Sequence, residues 1–228
     1  MIRTEAYARM KKEKIYPESG IELSPFISRH YDRILAMGSM GHYPRAIRRA
    51  IEDMDVRPKD RILDLGCGTG FNTGLLSEHL SPEGAILGLD ISEEMAVQFQ
   101  KRFQDDPRIS YLDQRIDVPF QLERKFDKVF ISFVIHGFPH EIRKVVIRNA
   151  LDHLKKGGSF FILDWAEFDM HSMPPLHRAI FKKVECKYAF DYIERDWKSI
   201  LKEQGFVDFR EHFYLRNYMR LLEAIKAS

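Results

Sequence analysis

Cysteine is scarce here: Cys67 and Cys186 are the only two in 228 residues, and neither belongs to a C-x-x-C pair. That spacing argues against a zinc site or a redox dithiol, and no metal is expected. Two thiols in a chain of this size fit a reducing compartment. Net charge is small too, at +2 from 36 Lys and Arg against 34 Asp and Glu. No global field therefore draws the protein to nucleic acid, and no nucleic-acid partner is expected. No apolar run reaches the roughly eighteen residues that would suggest a membrane span. Residues 1–14 are charged and lack the apolar centre of a signal peptide, so a cytoplasmic location is expected. Internal repeats and low-complexity tracts are missing as well. The basic pairs Lys11-Lys12 and Lys182-Lys183 read as solvated faces.

What is present is a globular composition, 44% hydrophobic and 31% charged. The first sixty or so residues read as mixed and helical, with helical spacing over 26–37 and 43–54. Beyond residue 60 short apolar runs alternate with helical stretches. Strands are predicted over 61–65, 85–90, 108–112, 126–133 and 159–165. Helices are predicted over 71–80, 93–103 (capped by Ser92) and 139–154. Further helices are expected over 173–188 and 194–203, the second ended by Gly205. Residues 206–215 alternate as a half-buried strand does; 218–226 are ambiguous, with helix propensity over 221–224, and a final antiparallel strand is the favoured reading. The order predicts an α/β fold with a mainly parallel sheet.

The chemistry concentrates in Asp64-Leu65-Gly66-Cys67-Gly68-Thr69-Gly70, between the first strand and its helix. Glycines let backbone turn sharply and approach a ligand. The spacing G-x-G-x-G differs from the G-x-G-x-x-G of dinucleotide sites, and the Lys-Ser/Thr ending of a phosphate loop is missing. A carboxylate two residues before the first glycine repels a pyrophosphate and suits a ligand carrying an ammonium group. Asp90, at the end of the second strand, is placed to accept the hydroxyls of a ribose.

With these residues the sequence resembles the class I S-adenosylmethionine-dependent methyltransferases. Arg61 to Gly70 is similar to their first motif, and Asp90 matches their ribose-binding acid. Asp113-Gln114 sits where the family has a polar residue near the adenine. Val118-Pro119-Phe120, Phe126 to His136 and Leu154 to Leu163 resemble the later motifs, with Lys156 replacing a usual proline. The match runs from about residue 61 to 165. It implies a doubly wound, Rossmann-like seven-stranded sheet, mostly parallel with the last strand antiparallel, preceded by N-terminal helices. It also implies S-adenosylmethionine as cofactor, with Asp64, Gly66, Cys67, Gly68, Gly70, Asp90, Ile91, Asp113, Gln114, Ser132 and Phe133 as candidate binding residues. Residues 26–42 look like the start of the ubiquinone/menaquinone C-methyltransferase group and its relatives, which points to a small-molecule acceptor. Residues 1–58 are then an N-terminal helical segment contributing to the acceptor site. Residues 59–228 are the cofactor-binding domain, with a lid or wall at about 165–192.

Methyl transfer is an in-line displacement, so alignment is much of the enzyme's task. Tyr31, Phe133 and Trp165 are candidates to face a sulfonium. His136, just past the fourth strand, is the candidate base or acceptor contact, with His140, His171 and His177 behind it. His136 and Tyr31 are thus the catalytic candidates. No Asn/Asp-Pro-Pro-Tyr/Phe element and no Pro-Cys nucleophile follows that strand, which argues against methylation of DNA bases. Two other readings stay open: a catalytically silent cofactor-binding partner protein and, less well supported by the loop spacing, an NAD-dependent oxidoreductase.

Overall fold

The computed structural model describes Tyr16, Ser19 and residues 42–228. A seven-stranded sheet has the order β3-β2-β1-β4-β5-β7-β6. Its strands are β1 (Arg61–Leu65), β2 (Ala85–Asp90), β3 (Ile109–Asp113), β4 (Phe126–Ser132), β5 (Leu154–Trp165), β6 (Phe206–Tyr214) and β7 (Met219–Lys226). Neighbours from β3 to β5 are parallel, and β7 runs antiparallel to both β5 and β6. Only the last strand is reversed, as the resemblance implies. The helices are α1 (His42–Glu52), α2 (Phe71–Ser77), α3 (Glu93–Phe103), α4 (His140–His153), α5 (Pro175–Val184), α6 (Lys187–Ile193) and α7 (Trp197–Gln204).

Strand alternation divides the core between the two faces of the sheet. Leu63, Val129, Ile131, Phe160, Ile162, Leu222 and Ala224 pack with α4, α6 and α7. Ile62, Ile86, Phe130, Phe161, Leu163 and Leu221 pack with α1, α2 and α3. α1 joins through Ile47, Ala50 and Ile51, an apolar stripe at helical spacing, with Met54 just past its end. In α3, Ser92 caps as expected, its side chain accepting from the Met95 amide.

The structure departs from the sequence reading in four places. The helix expected over 71–80 ends at Ser77. β5 begins at Leu154, ahead of the glycine pair, because Leu154 pairs with Phe126 before a register shift. The helix expected over 173–188 is two, α5 and α6, separated by extended backbone at Glu185 and Cys186. α7 begins at Trp197, because the Asp196 side chain accepts from the Ser199 amide and sets the start.

Candidate functional site

Strand order reverses between β1 and β4, and open α/β sheets bind ligands at the carboxyl ends of such strands. The glycine loop leaves β1 at this point. The Gly66 and Cys67 amides both donate to the Leu89 carbonyl, at 2.8 and 3.0 Å, tying the loop to β2. Gly66, Gly68 and Gly70 have φ of 73°, 53° and 78°, the left-handed region that favours glycine. Their surroundings differ. A Cβ on Gly66 would lie 2.7 Å from Val134, and one on Gly70 2.5 Å from Phe103. Among the described residues a Cβ on Gly68 meets no atom within 4 Å. Two of the glycines answer to packing, and the middle one borders open space.

Asp90 fastens this loop from below. One carboxylate oxygen accepts from the Gly68 amide at 2.9 Å and the other from the Ser92 amide at 2.9 Å. Burial nevertheless raises its pKa, against the lowering effect of those amides. Asp64 is 2% exposed and accepts from the Thr73 hydroxyl at 2.7 Å. Burial pushes its carboxyl up to about 7, so a cation beside it would favour the charged form. Cys67 is buried against Gly88 and Phe99, and burial pushes its thiol up; it packs and is unreactive.

The other cofactor candidates share this edge. Asp90 and Asp113 are register partners across β2 and β3. Ile91 and Leu112 expose apolar side chains at the ends of the same two strands. The Gln114 side chain donates to the Arg115 carbonyl at 2.9 Å. Ser132 ends β4, its hydroxyl buried without a hydrogen-bond partner among the described residues. Phe133 follows with φ 51°, an uncommon conformation for a bulky residue. Its amide donates to the Leu163 carbonyl and its ring meets Trp165 edge-on at 5.6 Å.

His136 is gripped between carboxylates. Its Nδ1 lies 2.7 Å from Asp164 Oδ1 and its Nε2 3.5 Å from Glu185 Oε2. The side chain is 12% exposed and that of Asp164 only 1%. Burial opposes a charged imidazole, but Asp164 and then Glu185 outweigh it and hold the pKa up at about 9. The imidazolium therefore donates from Nδ1 to Asp164. Arg143, fully buried on α4, donates to the carbonyls of His136 and Tyr188 and pairs with Asp191 at 2.6 Å. It also lies over the rings of Tyr192 and Trp197. A chain of edge-on rings runs from Phe133 through Trp165 and Phe181 to Phe168 and Phe190.

Tyr31 lies outside the described residues. Of the weaker histidine candidates, His171 is exposed beside Asp169, and His140 and His177 contact Trp197 and Tyr218. Asp164, Glu185 and Arg143 were not singled out from the sequence. The one readable signal was Asp164, a carboxylate closing an otherwise apolar strand.

The loop residues 64–74 contain no Lys or Arg to meet a phosphate. An open space at Gly68, a carboxylate beside it and exposed apolar side chains at the β2 and β3 ends fit an adenosine-bearing cation instead. Residues 62–158 match the family model described as a methyltransferase domain. A demethylmenaquinone methyltransferase of Staphylococcus aureus (strain JH9) is 25% identical over 203 residues, covering 81% of this chain and 83% of that one. An O-methyltransferase family protein from Burkholderia thailandensis superposes with TM-score 0.63 and 16% identity. That match covers 81% of this chain and 56% of the other, so this chain spans just over half of it. The N-methyltransferase NodS from Bradyrhizobium japonicum, in complex with S-adenosylhomocysteine, superposes with TM-score 0.57 and 15% identity, covering 81% of this chain and 85% of that one. Motif order, reversed last strand, loop chemistry and these likenesses agree: the chain carries a methyltransferase domain over residues 62–158, and its activity is S-adenosylmethionine-dependent methyl transfer.

Proposed function

We propose that the acceptor is a small organic molecule with a flat apolar body and an oxygen substituent, lying at the carboxyl ends of β4 and β5. The observation that carries this reading is the pairing of an aromatic wall, Phe133-Trp165-Phe181, with a charged His136 at the end of β4. The likeness to a demethylmenaquinone methyltransferase supports the same acceptor class. Residues 165–192 serve as the wall of this site, and the N-terminal segment 1–58 contributes to it. Among the described residues no helix is long and apolar enough to cross a membrane. We place the reaction in the cytoplasm, in keeping with two unpaired thiols.

When bound, S-adenosylmethionine supplies a methyl group on a good leaving group. The chain's own residues supply position. Gly66, Cys67, Gly68 and Gly70 shape the loop, and Asp90 would take the ribose hydroxyls. Ile91, Asp113 and Gln114 would hold the base, Asp64 would attract the ammonium group, and Ser132 and Phe133 would face the sulfonium. His136 is protonated at neutral pH, which favours a hydrogen-bond donor over the base expected from the sequence. Its Nε2–H, held loosely by Glu185, donates to the oxygen of an acceptor that binds already ionised, its hydroxyl proton lost to solvent, and stabilises that oxyanion. Asp164 keeps the ring oriented through Nδ1. Phe133 and Trp165 exclude water.

Calorimetry with S-adenosylhomocysteine and labelled-methyl transfer to hydroxylated aromatic acceptors test this. Asp90→Ala is expected to lose cofactor affinity by about tenfold or more, each factor of ten being about 1.4 kcal/mol. His136→Gln is expected to bind cofactor normally and lose on the order of a hundredfold in kcat. Cofactor binding with no transfer to any small acceptor would overturn the reading in favour of a silent partner protein.

A further inference from the structure

A groove of about 330 Å³ lies between α1 and the β6–β7 hairpin, lined by Arg45, Ala46, Arg49, Phe213, Tyr214, Leu215, Arg216 and Asn217. Tyr214 and Trp165 are both register partners of Met219, so the groove opens at the carboxyl edge of the sheet. It belongs to the face covered by α1 and α2, the one Phe133 packs against, whereas Trp165 and Phe181 pack into the core of the other face.

Three arginines converge on this groove, and among the described residues none of them has an ion-pair partner. Arg45 and Arg49 are four apart on α1 and so share a helix face. Arg48, on the same helix, pairs with Glu78 at 2.8 Å. Asp53, four residues after Arg49, is engaged by the Tyr214 hydroxyl at 2.5 Å and lies 3.6 Å from His212. Arg216 and Asn217 reach the groove from a turn in which Leu215, Arg216 and Asn217 have φ of 49°, 59° and 69°. Left-handed backbone at three successive non-glycine residues is unfavourable, so the surrounding structure must hold it in place.

Three planar guanidinium forks around one small space exceed what a single carboxylate can satisfy. A phosphate, with three acceptor oxygens and nearly two charges, matches them. Phe213 and Leu215, 48% and 37% exposed, add an apolar rim. We infer that this groove is a binding site for a phosphate group carried on an apolar organic body. The same chemistry belongs to a free organic phosphate and to a phospholipid head group.

Two measurements separate those sources. Calorimetry uses phenyl phosphate, with inorganic phosphate for comparison. Flotation uses phosphatidylcholine vesicles with and without phosphatidylglycerol. Binding of phenyl phosphate assigns a free ligand, and flotation only with phosphatidylglycerol assigns a head group; either result supports the site. In the arm that binds, Arg45→Ala/Arg49→Ala and, separately, Arg216→Ala are expected to weaken binding by about tenfold or more, as removal of charged hydrogen bonds does. Arg48→Ala, on the same helix but outside the groove, should bind as wild type. Silence in both arms overturns the proposal, as does binding that survives the groove substitutions or falls equally with Arg48→Ala.

Discussion

The three loop glycines share a conformation and differ in what surrounds them, which separates stability from cofactor binding. Gly68→Ala places a side chain at φ 53° with no atom of the described residues within 4 Å of the new Cβ. Its folding cost is then the left-handed strain alone, about 1–2 kcal/mol. Gly70→Ala carries the same strain at φ 78° and drives a methyl to 2.5 Å from Phe103 and 2.9 Å from Phe99. Overpacking of that kind adds about 1–3 kcal/mol. For a chain of this length each kcal/mol lowers Tm by roughly 2–4 °C. Gly68→Ala should therefore unfold a few degrees below wild type and Gly70→Ala about twice as far below. Cofactor affinity should rank differently. The methyl at position 68 occupies the open side of the loop, so Gly68→Ala should lose about tenfold or more, at least 1.4 kcal/mol, despite its milder folding defect. Scanning calorimetry and titration with S-adenosylhomocysteine measure the two quantities. Wild-type affinity in Gly68→Ala, or equal loss of Tm in both variants, would show that the loop does not border the ligand as argued.

Three further outcomes follow from the buried charges. The pKa of His136, raised from 6.5 to about 9, makes its ion pair stabilising below 6.5 and lost as pH rises through about 9. Asp164→Asn should bring that pKa down markedly in a ring-nitrogen NMR titration, and an unmoved value near 9 would refute the assignment to Asp164. His153 is pushed the other way, chiefly by burial. It accepts from the Leu122 amide at Nε2, which requires a neutral ring. Its contribution is full above 6.5 and lost as pH falls below, so urea midpoints should fall less on acidification in His153→Gln than in wild type. Arg143→Ala strands the His136 and Tyr188 carbonyls and leaves a void between two rings. Urea unfolding should show a loss of about 3 kcal/mol, and a loss under about 1 kcal/mol would be too small for the buried bonds described.

What could be read from the sequence was local. β1 and β2 have the predicted bounds because apolar runs, a glycine turn and an acidic strand end lie within a few residues of each other. The loop and Asp90 were legible for the same reason. The His136 cluster was not, since Asp164 and Glu185 reach it from 28 and 49 residues further along the chain. Nor was the break between α5 and α6. Helical periodicity continues through Glu185 and Cys186, but Glu185 is needed beside His136, and that contact accompanies extended backbone in place of another helical turn. Tertiary pairing overrides propensity there.

Backbone strain in this protein gathers at one edge. Of the six non-glycine residues with positive φ among those described, Phe133, Leu215, Arg216 and Asn217 lie at the carboxyl ends of the strands, while Asp55 follows α1 and Asp208 sits at the β6 bulge. Such conformations cost of order 1–3 kcal/mol each and persist only where neighbours hold them. At Phe133 the holding contacts are the Leu163 carbonyl, Trp165 and His136, members of the proposed acceptor site. A relaxed Phe133 would carry its ring away from Trp165, opening the aromatic wall. Phe133→Gly removes the conformational penalty together with the ring, so stability should change little while acceptor KM rises. Phe133→Leu keeps the penalty without the aromatic contact and should lose in both. If the two variants lost stability equally, strain at this position would not be the quantity that the wall sustains.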